Sequence, residues 1–363
     1  MRRFGIEQRR FGIPPATALG QAQKDQRTGA AEPFQPLPAP TGAAPYHLAL
    51  SSVAPNLSAT QRTFHVIGDH GGISDPNPQA EVAKAMIADL EAQATPPEFC
   101  YSVGDVVYFN GAKAEYPPQF YEAYAHYNLP ILAIPGNHDG DPEEDGETSL
   151  QAFVRYFCDA TPQLLPEVAE YNRDTMDQPN VFWTLEDELV TIIGAYSNVP
   201  SGGVIHPDQQ EWLTAELKAA PAGRALILAL HHPPYSSDAH HGGSEQMGKV
   251  LDQAFTAAAR QPDLVLTGHV HNYQRFTRTL NGRQVPYIVC GAGGYHNLHD
   301  MARGAAPGLQ VKPDCVLDQF DATQWGFLRL LVTATEIEGE YTGVDKEGNV
   351  THNVDSFKTP VGG

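Results

Sequence analysis

Residues 64–72 read FHVIGDHGG, a short apolar run that breaks at Gly68 into the polar cluster Asp69–His70. A run of this length, carrying β-branched residues and closed by glycine, predicts a buried strand that ends in a sharp turn. The same pattern recurs five times downstream. FCYSVGDVVY (99–108), LPILAIPGNHD (129–139), ALILALHHPP (225–234), DLVLTGHVH (263–271) and VPYIVCGAGG (285–294) are all short apolar runs with a glycine- or proline-marked polar end. Between the runs, Val82, Ala83, Met86, Ile87 and Leu90 share one face at helical spacing, as do Met247, Val250, Leu251, Ala254 and Phe255. A third helix, HPDQQEWLTAELK (206–218), opens at Pro207, a favourable first position because that N–H has no intrahelical partner. Strands alternating with helices give an α/β fold with both sheet faces covered. FWTLEDELVTIIGA (182–195) and FLRLLVTATEIEGEYTG (327–343) read as added hairpins that make the sheet mixed. In such a fold, function collects beyond the carboxyl ends of the strands, and every polar cluster quoted above falls at such an end.

Composition narrows the classes. Hydrophobic residues make up 41% of the 363, enough for a proper core. The stretch AAEPFQPLPAPTGAAP (30–45) has no apolar period and offers little surface to bury. Residues 1–60 are therefore expected to form a tail or wrapping arm, 61–345 the catalytic domain and 346–363 a C-terminal tail. Forty-three acidic against 23 basic residues give a formal charge of −20. That surface argues against nucleic acid as a partner, since counterion release needs clustered Lys and Arg. It also repels anionic substrates, so a phosphate site would need a local remedy, of which bound cations are the strongest. Cys100, Cys158, Cys290 and Cys315 form no CxxC pair, and the spacing leaves a Cys158–Cys315 disulfide open. The arginines near the N-terminus are followed by no apolar h-region, and no transmembrane-length run occurs. The expectation is a chain without membrane spans, cytoplasmic by default, of undetermined oligomeric state.

Taken singly, each polar cluster has an ordinary reading. Asp69 or Asp105 could cap a helix, Asn137 could form a turn, and His231 and His232 could be loop histidines. Jointly, five successive runs end in GDHG, GDVVY, GNHD, HHPP and GHVH. Oxygen and imidazole donors gathered at one sheet edge are what a two-metal cluster needs, with a carboxylate bridging the ions. Ligation without thiolate suits Fe, Mn, Zn or Ni better than a structural zinc site.

The ordered set GD, GD, GNHD, H-x-P, GHxH resembles the calcineurin-like metallophosphoesterases over about residues 63–273. Many members carry a histidine two residues after the first Asp; here that position is Gly71, while Tyr108 follows Asp105 by three. Glycine in the first place with tyrosine in the second resembles the purple acid phosphatases of the small single-domain type. The resemblance implies a four-layer α-β-β-α sandwich with two mixed β-sheets and the site at the strand carboxyl ends. It also implies two metal ions, Fe(III) and a divalent Fe, Zn or Mn. By the same resemblance Asp69, Asp105, Tyr108 and His271 hold the ferric ion. Asp105 as bridge, with Asn137, His231 and His269, holds the divalent one. The implied reaction is hydrolysis of a small phosphate monoester by a metal-bound hydroxide, with His138 stabilising phosphoryl oxygens or protonating the leaving group and Asp139 orienting His138. His241, with His240 as the alternative, resembles a further substrate-side histidine. The family's members are typically secreted, which sets secretion or a periplasmic location against the cytoplasmic default. Two other readings stay open: a phosphodiesterase acting on nucleotide or lipid-headgroup diesters, and a non-catalytic metal-bound scaffold. His65 is expected to be a packed mid-strand histidine, and His70 to point away from the site. His296 and His299 have no assigned role beyond a pocket rim.

Overall fold

The computed structural model describes residues 35–54, 56–141, 148–198 and 203–362. In chain order the first strands are β1 (His47–Ala49), β2 (Gln61–Ile67), β3 (Phe99–Ser102), β4 (Ile131–Ala133), β5 (Trp183–Glu186), β6 (Val190–Ala195), β7 (Ala225–Leu230) and β8 (Leu264–Thr267). They are followed by β9 (Tyr273–Leu280), β10 (Arg283–Cys290), β11 (Leu309–Lys312), β12 (Cys315–Asp321), β13 (Trp325–Thr333), β14 (Glu336–Val344) and β15 (Val350–Pro360). Among the described residues they form two mixed sheets, ordered β1-β5-β6-β7-β8-β10-β9-β12-β11 and β15-β14-β13-β2-β3-β4. The predicted hairpins are present as the antiparallel pairs β5/β6 and β13/β14.

Strand side chains alternate between faces, and this alternation distributes the core. Phe64 and Val66 of β2, Tyr101 of β3 and Leu328 of β13 meet Ile227 of β7, Leu266 of β8 and Ile288 of β10 in one cluster between the sheets. The intervening residues face the other way. Ile67, Cys100 and Ile131 pack with Val82 and Met86 of the helix Asn77–Ala92. Leu226, Leu228 and Leu230 pack with Leu213 and Leu217 of the helix Pro207–Ala219, and with Met247 and Leu251 of the helix Glu245–Ala258. Each fully buried Leu or Ile contributes about 1.5–3 kcal/mol relative to exposure. That gain requires helices on the outer face of each sheet, as the periodicity predicts. The helix Glu245–Ala258 starts where Ser244 accepts a hydrogen bond from Met247 N at 3.2 Å, satisfying an otherwise orphaned amide. All four cysteines are free and buried; Cys158 and Cys315 lie in different clusters, so the disulfide left open does not form.

Two expected boundaries need correction. Residues 346–363 are not a tail, because Val350–Pro360 is the long strand β15, antiparallel to β14. Most of its side chains face outward on an edge, and only Asp355 and Thr359 are buried, so it lacks the apolar run that marks other strands. The N-terminal arm also ends earlier than residue 60. His47–Ala49 pairs parallel with β5, and Leu50 is fully buried. Ahead of it, Thr41 and Gly42 donate backbone N–H bonds to Pro179 O, and Trp212 Nε1 donates to Pro45 O. Residues 1–34 of the expected tail lie outside the described residues.

Candidate metal centre

β2, β3 and β4 run parallel in one sheet, and β6, β7 and β8 run parallel in the other. The segments after β2, β3, β4, β7 and β8 carry the seven expected ligands. Three of these residues turn off their strands in the left-handed region: Asp69 at φ 55°, Asp105 at 52° and His269 at 69°. Such conformations cost on the order of 1–3 kcal/mol each in non-glycine residues and persist only where the surroundings hold them. Here Asp69 N donates to Gly104 O at 2.9 Å, and His269 N donates to Asp69 Oδ2 at 2.7 Å. The neighbouring glycines make room for carboxylates. A Cβ on Gly136 would lie 2.1 Å from Asp105 Oδ1, and one on Gly268 would lie 2.6 Å from Asp69 Oδ2.

The donors fall into two groups. In the first, Tyr108 Oη lies 3.3 Å from both Asp69 Oδ1 and His271 Nε2, and His271 Nε2 lies 3.5 Å from Asp69 Oδ1. In the second, Asn137 Oδ1 is 3.0 Å from His269 Nδ1, and Asp105, His231 and His269 bring their donor atoms within 4.8 Å of one another. Asp105 Oδ2 is 3.3 Å from His231 Nε2, and its charge also bears on the phenol of the first group. Gly71 now has a physical explanation. A Cβ there would sit 2.8 Å from Tyr108 Cδ2, so the tyrosine ring fills the space that a side chain at position 71 would need.

Whether this set suits cations can be judged from its tautomers and charges. His231 Nδ1 lies 2.9 Å from Val103 O and His271 Nδ1 lies 3.1 Å from Asn297 O. A carbonyl only accepts, so both Nδ1 atoms carry protons and both Nε2 atoms turn toward the site. His231 Nε2 is buried and lacks a hydrogen bond, its approach to Asp105 being too poorly aimed to count as one. Burial, reinforced by neighbouring imidazoles, holds His269 and His271 well below the usual histidine range, in the neutral form a metal requires. Burial also pushes Asp69 up to about 7 and, with Asp105 and Asp69, holds the Tyr108 phenol well above its ordinary value. For His231, burial is outweighed by Asp105 and Asp69, which raise it to about 9. The same field favours any cation placed among these carboxylates, and a cation that displaces the phenol proton suits an anionic oxygen donor. The donor set fits two metal ions.

His138 donates its backbone N–H to Asp105 Oδ1 at 2.9 Å, and its Nδ1 donates to Phe109 O at 2.5 Å. Nε2 is therefore the ring nitrogen left to exchange a proton. Asp139, expected to orient His138, does something else. Its buried carboxylate accepts from Gly136 N at 2.8 Å, Val106 N at 3.1 Å and Val107 N at 3.2 Å, tying the turn after β4 to the loop after β3. The ring of His138 is held by the Phe109 carbonyl, a partner no sequence motif displays.

His241 is half-buried with its ring 4.7 Å from that of His269, whereas His240 is exposed, 4.8 Å from His299. His65 is packed as expected, between Tyr127 Oη and Asp89 Oδ2. His70 points away, between Ser102 Oγ and Tyr124 Oη. His299, by contrast, stacks 4.3 Å from His271. Tyr295 lies 4.2 Å from Tyr108 and 4.5 Å from His271, with His296 half-buried beside it. Gln119 accepts from Tyr108 N at 3.0 Å and donates to Tyr108 O at 2.5 Å, bracketing the tyrosine backbone. Sequence reasoning missed Gln119 and Tyr295. Tyr295, at the end of the sixth strand run, had a signal; Gln119 had none.

Comparison with known proteins shows the family. The profile described as Calcineurin-like phosphoesterase matches residues 62–273. Purple acid phosphatase 21 of Arabidopsis thaliana is 30% identical over 168 residues, 44% of this chain and 36% of that protein. Tartrate-resistant acid phosphatase type 5 of Oryctolagus cuniculus is 27% identical over 64% of this chain and 73% of its own length. Among solved structures, purple acid phosphatase PPD1 from yellow lupin (Lupinus luteus) superposes with a TM-score of 0.59 at 17% identity, covering 83% of this chain and 54% of that one. The match spans only about a third of several of the plant relatives, 36% of purple acid phosphatase 21 and 28% of purple acid phosphatase 22. With its profile match running through all five motif-bearing segments, the chain belongs to the calcineurin-like phosphoesterase family and is similar to the purple acid phosphatases within it.

Proposed function

We propose that this protein is a two-metal phosphohydrolase of small phosphate monoesters. Asp69, Asp105, Tyr108 and His271 would hold Fe(III), and Asp105, Asn137, His231 and His269 a divalent Fe, Zn or Mn. The observation that carries the reading is the pair of donor groups, with Asp105 3.3 Å from His231 in one and its charge bearing on Tyr108 in the other. When bound, such ions polarise a phosphoryl oxygen and lower the pKa of water at neutral pH. The chain's own residues supply the rest. His138, with Nδ1 committed to Phe109 O, can hydrogen-bond a phosphoryl oxygen through protonated Nε2. It can then pass that proton to the departing alkoxide, leaving a neutral imidazole and an alcohol. With the ions bound, Tyr108 and Asp69 would supply anionic oxygens to one of them, and Asn137, His231 and His269 neutral donors to the other. His241, whose ring lies 4.7 Å from that of His269, would supply a further imidazole on the substrate side.

The test is hydrolysis of p-nitrophenyl phosphate and bis(p-nitrophenyl) phosphate by metal-loaded wild type and His138→Ala. The expected result is faster monoester turnover. His138→Ala should keep both metals and lose about 10²-fold or more in turnover, the usual weight of a general acid. Preferential diester cleavage would make the enzyme a phosphodiesterase. No cleavage of either ester by a fully metallated protein would make it a binding scaffold.

A further inference from the structure

The segment after β7 holds a carboxylate that the reaction above does not use. Asp238 is 7% exposed, yet its Oδ2 accepts from His241 N at 2.6 Å and His240 N at 2.9 Å, and lies 3.4 Å from His299 Nδ1. Its Oδ1 accepts from Asn272 Nδ2 at 3.2 Å, next in sequence to His271. The isolated bridge Asp238↔Met301 ties this segment to the one that carries His299, and the bridge Ser237↔Gly242 closes the segment on itself around His241. A buried carboxylate is costly unless each lone pair is used, and here one side chain gathers two loops and a β9-flanking residue. The result is a pair of imidazoles set over the two donor groups. His241 lies tilted 4.7 Å from His269 and His299 tilted 4.3 Å from His271, with the two rings 5.1 Å apart.

We propose that Asp238 is a positioning residue that fixes His241 and His299 as a paired imidazole wall for the phosphoryl oxygens of the substrate. The proposal rests on the phosphoesterase reading. Asp238 makes no substrate contact itself and acts through the two rings. Fixing both beforehand removes the ordering cost that each would otherwise incur on binding phosphate.

The test is a mutant cycle on the metal-loaded full chain with Asp238→Ala, the double variant His241→Ala/His299→Ala and all three substitutions combined. It reads the dissociation constant of inorganic phosphate by calorimetry, together with KM and kcat for p-nitrophenyl phosphate, metal content and melting temperature. Asp238→Ala should keep both metals and weaken phosphate binding and KM about tenfold, with a smaller change in kcat. In the His241→Ala/His299→Ala background the same substitution should add less than about twofold, because both rings through which it acts are already gone. Asp238→Asn, of similar size and with one oxygen left for the two amides, should fall between wild type and Asp238→Ala, and it carries the cycle if the alanine variant does not fold. Additive effects, or unchanged phosphate affinity, would overturn the proposal. A wild type that binds phosphate with the predicted coupling but cleaves no ester would contradict the hydrolase reading and leave the positioning role standing.

Discussion

The two donor groups of the site are assembled from motifs of the same kind, yet they differ in charge. One holds Asp69, Tyr108 and His271, with two oxygens able to carry negative charge and an imidazole within 3.3–3.5 Å. The other holds Asn137, His231 and His269, all neutral donors as ligands. Asp105 lies between, its Oδ2 3.3 Å from His231. Under the proposed function, this inequality of charge would favour unlike ions, with a harder, more highly charged cation gaining most from the tyrosine side and a divalent one being adequate on the amide side. Tyr108 supplies part of the difference, and it is sterically linked to Gly71 because its ring occupies the space that a side chain at position 71 would need.

That contrast can be broken or sharpened by design. The largest effect should come from Asp105→Asn, which takes charge from both groups at once. Metal analysis should show both ions weakened together, and turnover should fall by roughly three orders of magnitude or more, as for a residue that acts with its whole site. Retention of one ion at full occupancy would show that Asp105 serves a single group. His138→Ala, leaving both groups intact, should fall below this at about 10²-fold. Smaller still should be Gly71→Ala. Its methyl would meet Tyr108 Cδ2 at 2.8 Å and must push the ring aside, while the nearest atoms are all on the phenolate side. About a tenfold loss of activity is expected, with the Asn137 group's ion unaffected, measured as occupancy of each ion. Loss of both ions equally would mean the groups are not independent.

The legibility of the site follows from how it is built. Each of the seven expected donors sits within a few residues of a strand end, so donor, turn glycine and strand appear together in one short window. The donors His269 and His271 are even two residues apart. What holds the donors was not legible, because those contacts are distant in sequence. Asp139 reaches back to Val106 and Val107, 33 and 32 residues away, and was misread as a partner of the adjacent His138. Asp238 meets Asn272 at a separation of 34 and His299 at 61. The fold shows the same division. The hairpins β5/β6 and β13/β14 were legible from local alternation, whereas β15 was read as a tail. Among its ties to the other sheet is Asp355, which accepts from Tyr273 Oη at 2.8 Å and from Arg275 Nε at 2.7 Å across about eighty residues. A polar edge strand held by such bonds leaves no apolar pattern to read.

The most direct test of the unequal pair is the visible absorption spectrum of iron-loaded wild type beside Tyr108→Phe, with iron content measured in both. A phenolate-to-iron charge-transfer band in the wild type that is absent from Tyr108→Phe is the predicted result. A colourless iron-loaded wild type, or a band that survives in Tyr108→Phe, would contradict the assignment of Tyr108 to a ferric ion.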